Sequence, residues 1–292
     1  MKITIIGAGA IGTALGKVLK TKKENKVVFW DILPEKIKKP TTIDQAVSGA
    51  DFVFFCLPSF ALREAVTLAK DFFKKEAVVV CISKGIEAES GLTVDVLLAK
   101  ILPLRQPFAV VFGPMLAVEL MAGKRGYGLC AGRGTAAIKI VDLFSGTKFA
   151  VRLGRDLRGV ALCGVLKNIY SVGLGMLSAV SNGENVRGAY ISAACREMVG
   201  IIKELGGQAE TALDLCGLGD LVATGYSSTS RNWQVGRAIA RTGKPLGGSE
   251  GMFASVAICK GLGKKCPRYP VLEALDAVIE GRAKVSRVIE AI

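Results

Sequence analysis

The chain has 292 residues, half of them hydrophobic and 22% charged, a composition that excludes a disordered chain and a length that predicts two domains. It carries 39 basic against 25 acidic residues, net +14, and no histidine. A Ser-His-Asp or Cys-His nucleophile, a histidine-ligated zinc and a histidine general acid are thereby excluded. Proton transfer at neutral pH falls to Lys, Tyr, Cys, a carboxylate or water.

In chain order, short runs of continuous apolar character at 2–6, 27–30, 52–57, 77–82 and 108–112 are bounded by charge, Gly or Pro. Unbroken apolarity is what a parallel strand buried on both faces requires. Helical spacing follows at 10–19, 60–73 and 135–144. The β-α-β-α order predicts an α/β Rossmann-like doubly wound parallel sheet, with its ligand crevice at the carboxyl ends of the strands. After about Val151 the strand signal fades. Residues 186–205 place Val186, Ala189, Tyr190, Ala193, Met198, Ile201, Ile202 and Leu205 on one stripe, and further helices are predicted at 233–241, 249–262 and 271–280. The expected organisation is a dinucleotide-binding domain over 1–153 and a mainly α-helical substrate and catalytic domain over 154–292.

The basic excess admits nucleic acid, an acidic membrane surface or small anionic substrates. The basic residues are scattered or in short clusters, and only 7% of the chain is aromatic, so no stacking platform for single strands is present and no nucleic-acid partner is expected. No uninterrupted apolar run reaches roughly 18 residues, and no membrane span is expected. Lys2 and the apolar run after it imitate a signal peptide, but cleavage would remove the first strand and the glycine loop described next. The eight cysteines contain no C-x-x-C pair and read as small core residues of a cytoplasmic protein; no metal site is expected. A mean hydropathy of +0.41 favours burial of surface in an oligomer, expected as a homodimer.

Gly7-Ala8-Gly9-Ala10-Ile11-Gly12 is a G-x-G-x-x-G loop between a strand and a helix. The first Gly permits the tight turn, the second lets backbone amides approach a pyrophosphate, and the third allows close helix–strand packing. Asp31 ends the second strand, 19 residues after Gly12. It suits the ribose hydroxyls and repels a 2′-phosphate, so NAD is expected as cofactor and NADP is disfavoured. Lys36, Lys38 and Lys39 soften that discrimination.

Three charged positions are out of place. Lys167 is the only charge between Arg158 and Glu184; it either snorkels or sits in a cleft with its pKa lowered, as a lysine general acid needs. Asp220 is a lone charge in Cys216-Gly217-Leu218-Gly219-Asp220-Leu221-Val222, a helix cap or a partner for a lysine. Lys84 ends a predicted parallel strand. Ser230-Arg231-Asn232 suits a phosphate monoester or an exposed helix start.

With Leu57-Pro58-Ser59, Ser83-Lys84-Gly85-Ile86-Glu87, Gly113-Pro114, Ala117, Glu119, Leu166-Lys167-Asn168 and Glu250-Gly251 in order along the chain, these segments resemble the bacterial-type NAD(P)-dependent glycerol-3-phosphate dehydrogenases from residue 2 to about 270. The resemblance implies Lys167 as general acid/base, with Lys84 and Asn168 holding substrate oxygens. Asp220 and Thr224 would orient the lysine and the substrate hydroxyls, and Ser230, Arg231 and Asn232 would take the phosphate. Gly113 and Met115 fall at further substrate positions. Gly7, Gly9, Ala10, Ile11, Gly12, Asp31, Pro58, Lys84, Ala117, Arg231 and Glu250 fall at cofactor positions. Three departures stand out: Met115 where the family carries Ser or Thr, Ala161 where an acidic residue is common, and shorter segments after Asp31 and between Gly236 and Glu250.

The implied reaction is reversible hydride transfer between NAD(H) and a small phosphorylated three-carbon substrate, dihydroxyacetone phosphate or sn-glycerol 3-phosphate, in glycerophospholipid metabolism. A two-domain ketopantoate or β-hydroxyacid reductase is the alternative enzyme, and a catalytically silent NAD(H) sensor the alternative outside enzymes. The Ser-Arg-Asn triplet argues against the first, Lys167 with Asp220 against the second.

Overall fold

The computed structural model describes residues 1–180 and 183–292. Seven strands form one sheet: β1 (Lys2–Ile6), β2 (Lys26–Trp30), β3 (Phe52–Phe55), β4 (Val78–Cys81), β5 (Phe108–Phe112), β6 (Gly126–Gly132) and β7 (Phe149–Leu153). Their order is β2-β1-β3-β4-β5-β6-β7. The first five run parallel, with Ile3 opposite Val27 and Phe52. The order reversal on either side of β1 marks the switch point where ligands bind in such sheets.

Helices α1 (Ala10–Leu19), α2 (Ile43–Val47), α3 (Ser59–Ala69), α4 (Val94–Ile101), α5 (Ala117–Met121) and α6 (Ala136–Phe144) connect the strands. α1 and α6 bury their apolar stripes in a cluster that includes Ile3, Ile5, Leu15, Phe54, Val80 and Val111. Phe144 meets Phe54 and Phe149 edge-on, with centroids 6.0 and 5.0 Å apart, a geometry worth about 1 kcal/mol per pair beyond area burial.

β6 turns antiparallel to β5, and β7 then runs parallel to β6. Neither is visible in the sequence pattern. Gly126, Gly128 and Gly132 dilute the apolar signal of β6, and they are small for a packing reason: a β-carbon at Gly128 would lie 2.8 Å from the Phe149 ring. β7 is only partly buried, so its apolar run is short.

The remaining helices are α7 (Leu157–Ala179), α8 (Glu184–Glu204), α9 (Asp220–Gly225), α10 (Arg231–Thr242), α11 (Glu250–Leu262), α12 (Pro270–Ile279) and α13 (Ser286–Glu290). Contacts divide the chain into two compact units, 1–83 with 94–160, and 84–93 with 161–292. The division falls inside α7 rather than at residue 153, because the helix continues unbroken through it. Residues 84–93 belong with the helical unit, so Lys84 does too.

α7 is long and apolar enough to cross a membrane by length and composition, but its most apolar window is completely buried in protein. It is the central helix of its unit. Tyr170 on α7 donates to the Glu197 carboxylate on α8 at 2.8 Å, and the same carboxylate accepts the N–H groups of Val271 and Leu272 at 2.7 and 2.9 Å. Those amides open α12 and have no partner inside their own helix. Burial raises the pKa of Glu197, opposed by the two amides and the phenol.

Six cysteines are free and buried. Cys259 and Cys266 differ from the expectation of unpaired core thiols: they are disulfide-bonded, since the chain turns back just after α11 and returns one sulfur to the other.

The turn between β1 and α1 yields a stability test. Gly7 sits at φ +101°, and a β-carbon at Gly12 would lie 1.9 Å from the Gly7 carbonyl oxygen, whereas one at Gly9 meets nothing within 4 Å. Gly12→Ala is expected to cost about 3 kcal/mol and lower Tm by several degrees, while Gly9→Ala costs less than about 1 kcal/mol, measured by thermal unfolding. Equal Tm values for the two variants would contradict this packing.

Candidate active site

In the first unit, the sequence Gly7–Gly12 folds as a tight turn that presents the start of α1. Gly9 is the N-cap residue and brings no side-chain cap to the helix. Gly9 and Ala10 are exposed and Ile11 is half-buried, beside the buried Gly12. The open face at Gly9, uncapped amides and the positive end of the helix dipole form a cradle that fits a pyrophosphate. Asp31 follows β2 and is 9% exposed. Its carboxylate accepts the Ala8 N–H at 2.7 Å and the Leu33 N–H at 3.0 Å, with the Lys36 ammonium 3.9 Å away. It therefore holds the glycine loop in place and sets a negative charge beside it. The residues present fit a dinucleotide.

Other expected positions in this unit lie at turns. Pro58 is the N-cap residue of α3, and Ala117 is the first residue of α5, packed on the core cluster. Gly113 is buried at φ +157°, with the Tyr127 carbonyl oxygen 2.5 Å from where a β-carbon would sit. Met115 is 5% exposed and belongs to the core cluster. An apolar thioether gains more from that core than from a polar site, so its side chain offers no replacement for the hydroxyl usual in the family.

In the second unit, Lys84, Lys167, Asp220 and Thr224 converge. The Lys84 ammonium lies 2.6 Å from Asp220 Oδ2 and that of Lys167 3.4 Å from the same oxygen. Lys167 also donates to Thr224 Oγ1 at 3.2 Å, and Thr224 in turn donates to Asp220 Oδ1 at 3.1 Å. Asp220 and Thr224 are one helical turn apart on α9, which is why both face the lysines. Lys167, Asp220 and Thr224 are 6, 2 and 6% exposed.

Desolvation lowers the Lys167 pKa to about 8; Lys84 pushes the same way, and Asp220 pulls it back up. Burial alone would raise the Asp220 carboxyl, but the two ammonium groups outweigh it and hold it below the usual range. One carboxylate between two ammonium groups leaves the cluster with net positive charge. Such a site can stabilise a developing alkoxide and give it a proton.

The two asparagines extend this cluster. Asn168, next to Lys167 on α7, donates to the Lys84 carbonyl at 3.1 Å and accepts from Asn232 at 2.9 Å. Asn232 Oδ1 accepts the Gly251 N–H at 2.9 Å. Gly251 must be glycine here, because a β-carbon would lie 2.2 Å from the Asn168 carbonyl oxygen. Sequence reading named these residues but not the chain of amides that joins them. Asn168 interrupts the apolar run of α7, whereas Asn232 sits in a polar helix start and carries no such signal.

Ser230 caps α10, accepting the Trp233 N–H at 3.4 Å. That is the helix-start reading of the triplet, and it leaves the hydroxyl with a structural task. Arg231 is exposed and donates to the carbonyls of Leu246 and Gly248 at 2.6 and 3.3 Å, which ties down the segment before α11. Glu250 is the first residue of α11, after the Ser249 cap.

Comparison with known proteins agrees with these features. The family model for the C-terminus of NAD-dependent glycerol-3-phosphate dehydrogenase matches residues 156–290, and that for its N-terminus matches 31–127. Glycerol-3-phosphate dehydrogenase [NAD(P)+] of Rhizobium etli is 34% identical, over 99% of this chain and 96% of the relative. That of Bacillus subtilis is 31% identical, over 100% and 93%. The crystal structure of glycerol-3-phosphate dehydrogenase from Coxiella burnetii superimposes with a TM-score of 0.87 at 25% identity, covering 99% of this chain and 97% of that one. A ketopantoate reductase from Ralstonia eutropha reaches only 0.62 at 20% identity, covering 96% and 98%, a likeness of fold alone. A histidine-free dinucleotide-binding chain with two lysines on one buried aspartate, matched over nearly its whole length, belongs to the NAD(P)-dependent glycerol-3-phosphate dehydrogenase family of oxidoreductases.

Proposed function

We propose that Lys167 is the general acid/base of the reversible interconversion of dihydroxyacetone phosphate and sn-glycerol 3-phosphate, and that Lys84 and Asp220 set its protonation. The carrying observation is the buried ammonium of Lys167, its pKa lowered to about 8, within 3.4 Å of a carboxylate that it shares with Lys84. When bound, the nicotinamide supplies or accepts the hydride. In ketone reduction Lys167 gives its Nζ proton to the oxygen on C2 as that oxygen gains charge. Lys84 adds a second positive charge to the same pocket, and Thr224 and Asp220 hold the Lys167 ammonium in place. In the oxidising direction neutral Lys167 takes the proton back.

Asn168 and Lys84 are assigned to the substrate oxygens, and Arg231 and Asn232 to the phosphate, through the guanidinium fork and the second amide N–H of Asn232. Ser230 joins them through its position at the start of α10. Gly7, Gly9, Ala10, Ile11 and Gly12 cradle the pyrophosphate, and Asp31 takes the ribose hydroxyls, which favours NAD over NADP. Pro58, Lys84, Ala117, Arg231 and Glu250 are assigned to the rest of the cofactor. A homodimer is supported by the exposed apolar side chains Leu246 and Phe253 and the mean hydropathy of +0.41. A cytoplasmic enzyme feeding glycerophospholipid synthesis accords with the six free thiols.

Two kinetic outcomes follow. Lys167→Ala lowers kcat for dihydroxyacetone phosphate by at least about 100-fold with NADH affinity little changed; near-native turnover would remove Lys167 from the mechanism. The native enzyme is expected to show at least about tenfold higher kcat/KM with NADH than with NADPH, because the Asp31 carboxylate repels a 2′-phosphate. Equal or better efficiency with NADPH would overturn the assignment of Asp31.

A further inference from the structure

The disulfide between Cys259 and Cys266 lies outside the residues assigned to the reaction. The two residues are seven apart in sequence, with Cα atoms 5.2 Å apart, inside the range a disulfide spans. The backbone brings them together: α11 ends at Leu262, Gly263 takes φ +54°, and a 3₁₀ turn over Gly263–Arg268 folds back along the helix end. Cys259 is half-buried and Cys266 is 8% exposed.

This corner is rich in cations. Lys260, Lys264, Lys265 and Arg268 are all exposed on it; Lys265 and Arg268 lie 2.8 and 3.5 Å from the carboxylate of Glu204. Positive surroundings favour thiolate, the form that attacks disulfides. The other six cysteines are buried elsewhere. Burial pushes the thiols of Cys81 and Cys130 up to about 12 and raises those of Cys56 and Cys195, which disfavours thiolate there. Cys259 and Cys266 are the pair that the fold brings together, while the six free cysteines are buried.

We propose that Cys259 and Cys266 form a reversible dithiol–disulfide modification site that exchanges with low-molecular-weight disulfides of the glutathione type and, when closed, fixes the turn between α11 and α12. The Cys259 thiolate attacks the external disulfide, forming a mixed disulfide and releasing one thiolate. The Cys266 thiolate then attacks the Cys259 sulfur, closes the protein disulfide and releases the second. The protein sulfurs lose two electrons and the external disulfide is reduced to two thiols. Closure ties the end of α11 to the turn that leads into α12, whose first amides Glu197 holds. This site is independent of the assignments to Lys167 and its neighbours.

The full-length enzyme, fully reduced and freed of reductant, is titrated in its native state with an aromatic disulfide reagent. It is then incubated with oxidised glutathione and weighed intact. The expected result is two fast-reacting thiols, a mass loss of about 2 units after glutathione treatment with no glutathione retained, and a Tm about 4 °C above that of the reduced form. Cys259→Ser/Cys266→Ser removes the fast thiols, the mass loss and the Tm difference while leaving turnover with dihydroxyacetone phosphate unchanged. No fast thiols, fast thiols that persist in the double variant, or glutathione held stably as a mixed disulfide would each overturn the proposal. So would a closed form with the Tm of the reduced one.

Discussion

Asp220 is a single carboxylate shared by the buried Lys167 and the half-buried Lys84, and the chemistry of this protein depends on that sharing. One buried ammonium without a partner would lose its proton; two without a partner would repel each other. With Asp220 between them, Lys84 sits 2.6 Å and Lys167 3.4 Å from one oxygen. The longer contact belongs to the lysine whose pKa burial brings down to about 8. The geometry supports the assignment of Lys167 as the group that gains and loses a proton near neutral pH, with Lys84 on the same carboxylate oxygen. In a chain without histidine, no other side chain with an ordinary pKa near 7 is available for the task.

The scaffold around this triad is built from backbone and amide contacts rather than from further charges. Asn168 is bound to the Lys84 carbonyl and to Asn232, and Asn232 to the first turn of α11. Gly251 allows α11 to approach the backbone of α7 at Asn168. On the other side of α7, Tyr170 and Glu197 join it to α8 and α12. Uncharged amides and one deeply held carboxylate can fix α7 without adding charges that would compete for Asp220. In the nucleotide-binding unit Asp31 plays a comparable part, since its carboxylate fastens the glycine loop through the Ala8 N–H.

Much of this was legible in the sequence, and the physical reason differs from element to element. β1, β3, β4 and β5 are buried strands whose unbroken apolar runs announce them, and the half-buried edge strand β2 carries a similar run. β6 is not legible, because Gly126 and Gly128 make room for Phe149, Gly132 lies against Phe108 and Ala109, and the three leave few apolar side chains to read. α7 shows almost no stripe, since the central helix of its unit is buried all round, yet that same uniform apolarity made Lys167 conspicuous. Asp220 stood out for the same reason. Ser230 reads in the sequence as a phosphate ligand or as a helix start, and it does cap α10, because the two tasks ask for the same residue type. Met115 occupied a ligand position by alignment of motifs, and its side chain is in the core. The Cys259–Cys266 pair was invisible, because its spacing of seven becomes a contact only when Gly263 reverses the chain.

The central claim is that Lys167 exchanges the reacting proton at a pKa lowered to about 8. Its most direct test is the pH dependence of kcat/KM in both directions, which reports ionisations of the free enzyme. Ketone reduction requires protonated Lys167, so its kcat/KM is expected to hold below about 8 and fall as pH rises through that value. Alcohol oxidation requires the neutral amine and is expected to rise through the same pH. Asp220 raises the Lys167 pKa, so Asp220→Asn moves both breaks to lower pH. Profiles with no break between pH 7 and 9, or breaks that Asp220→Asn leaves in place, would contradict the account.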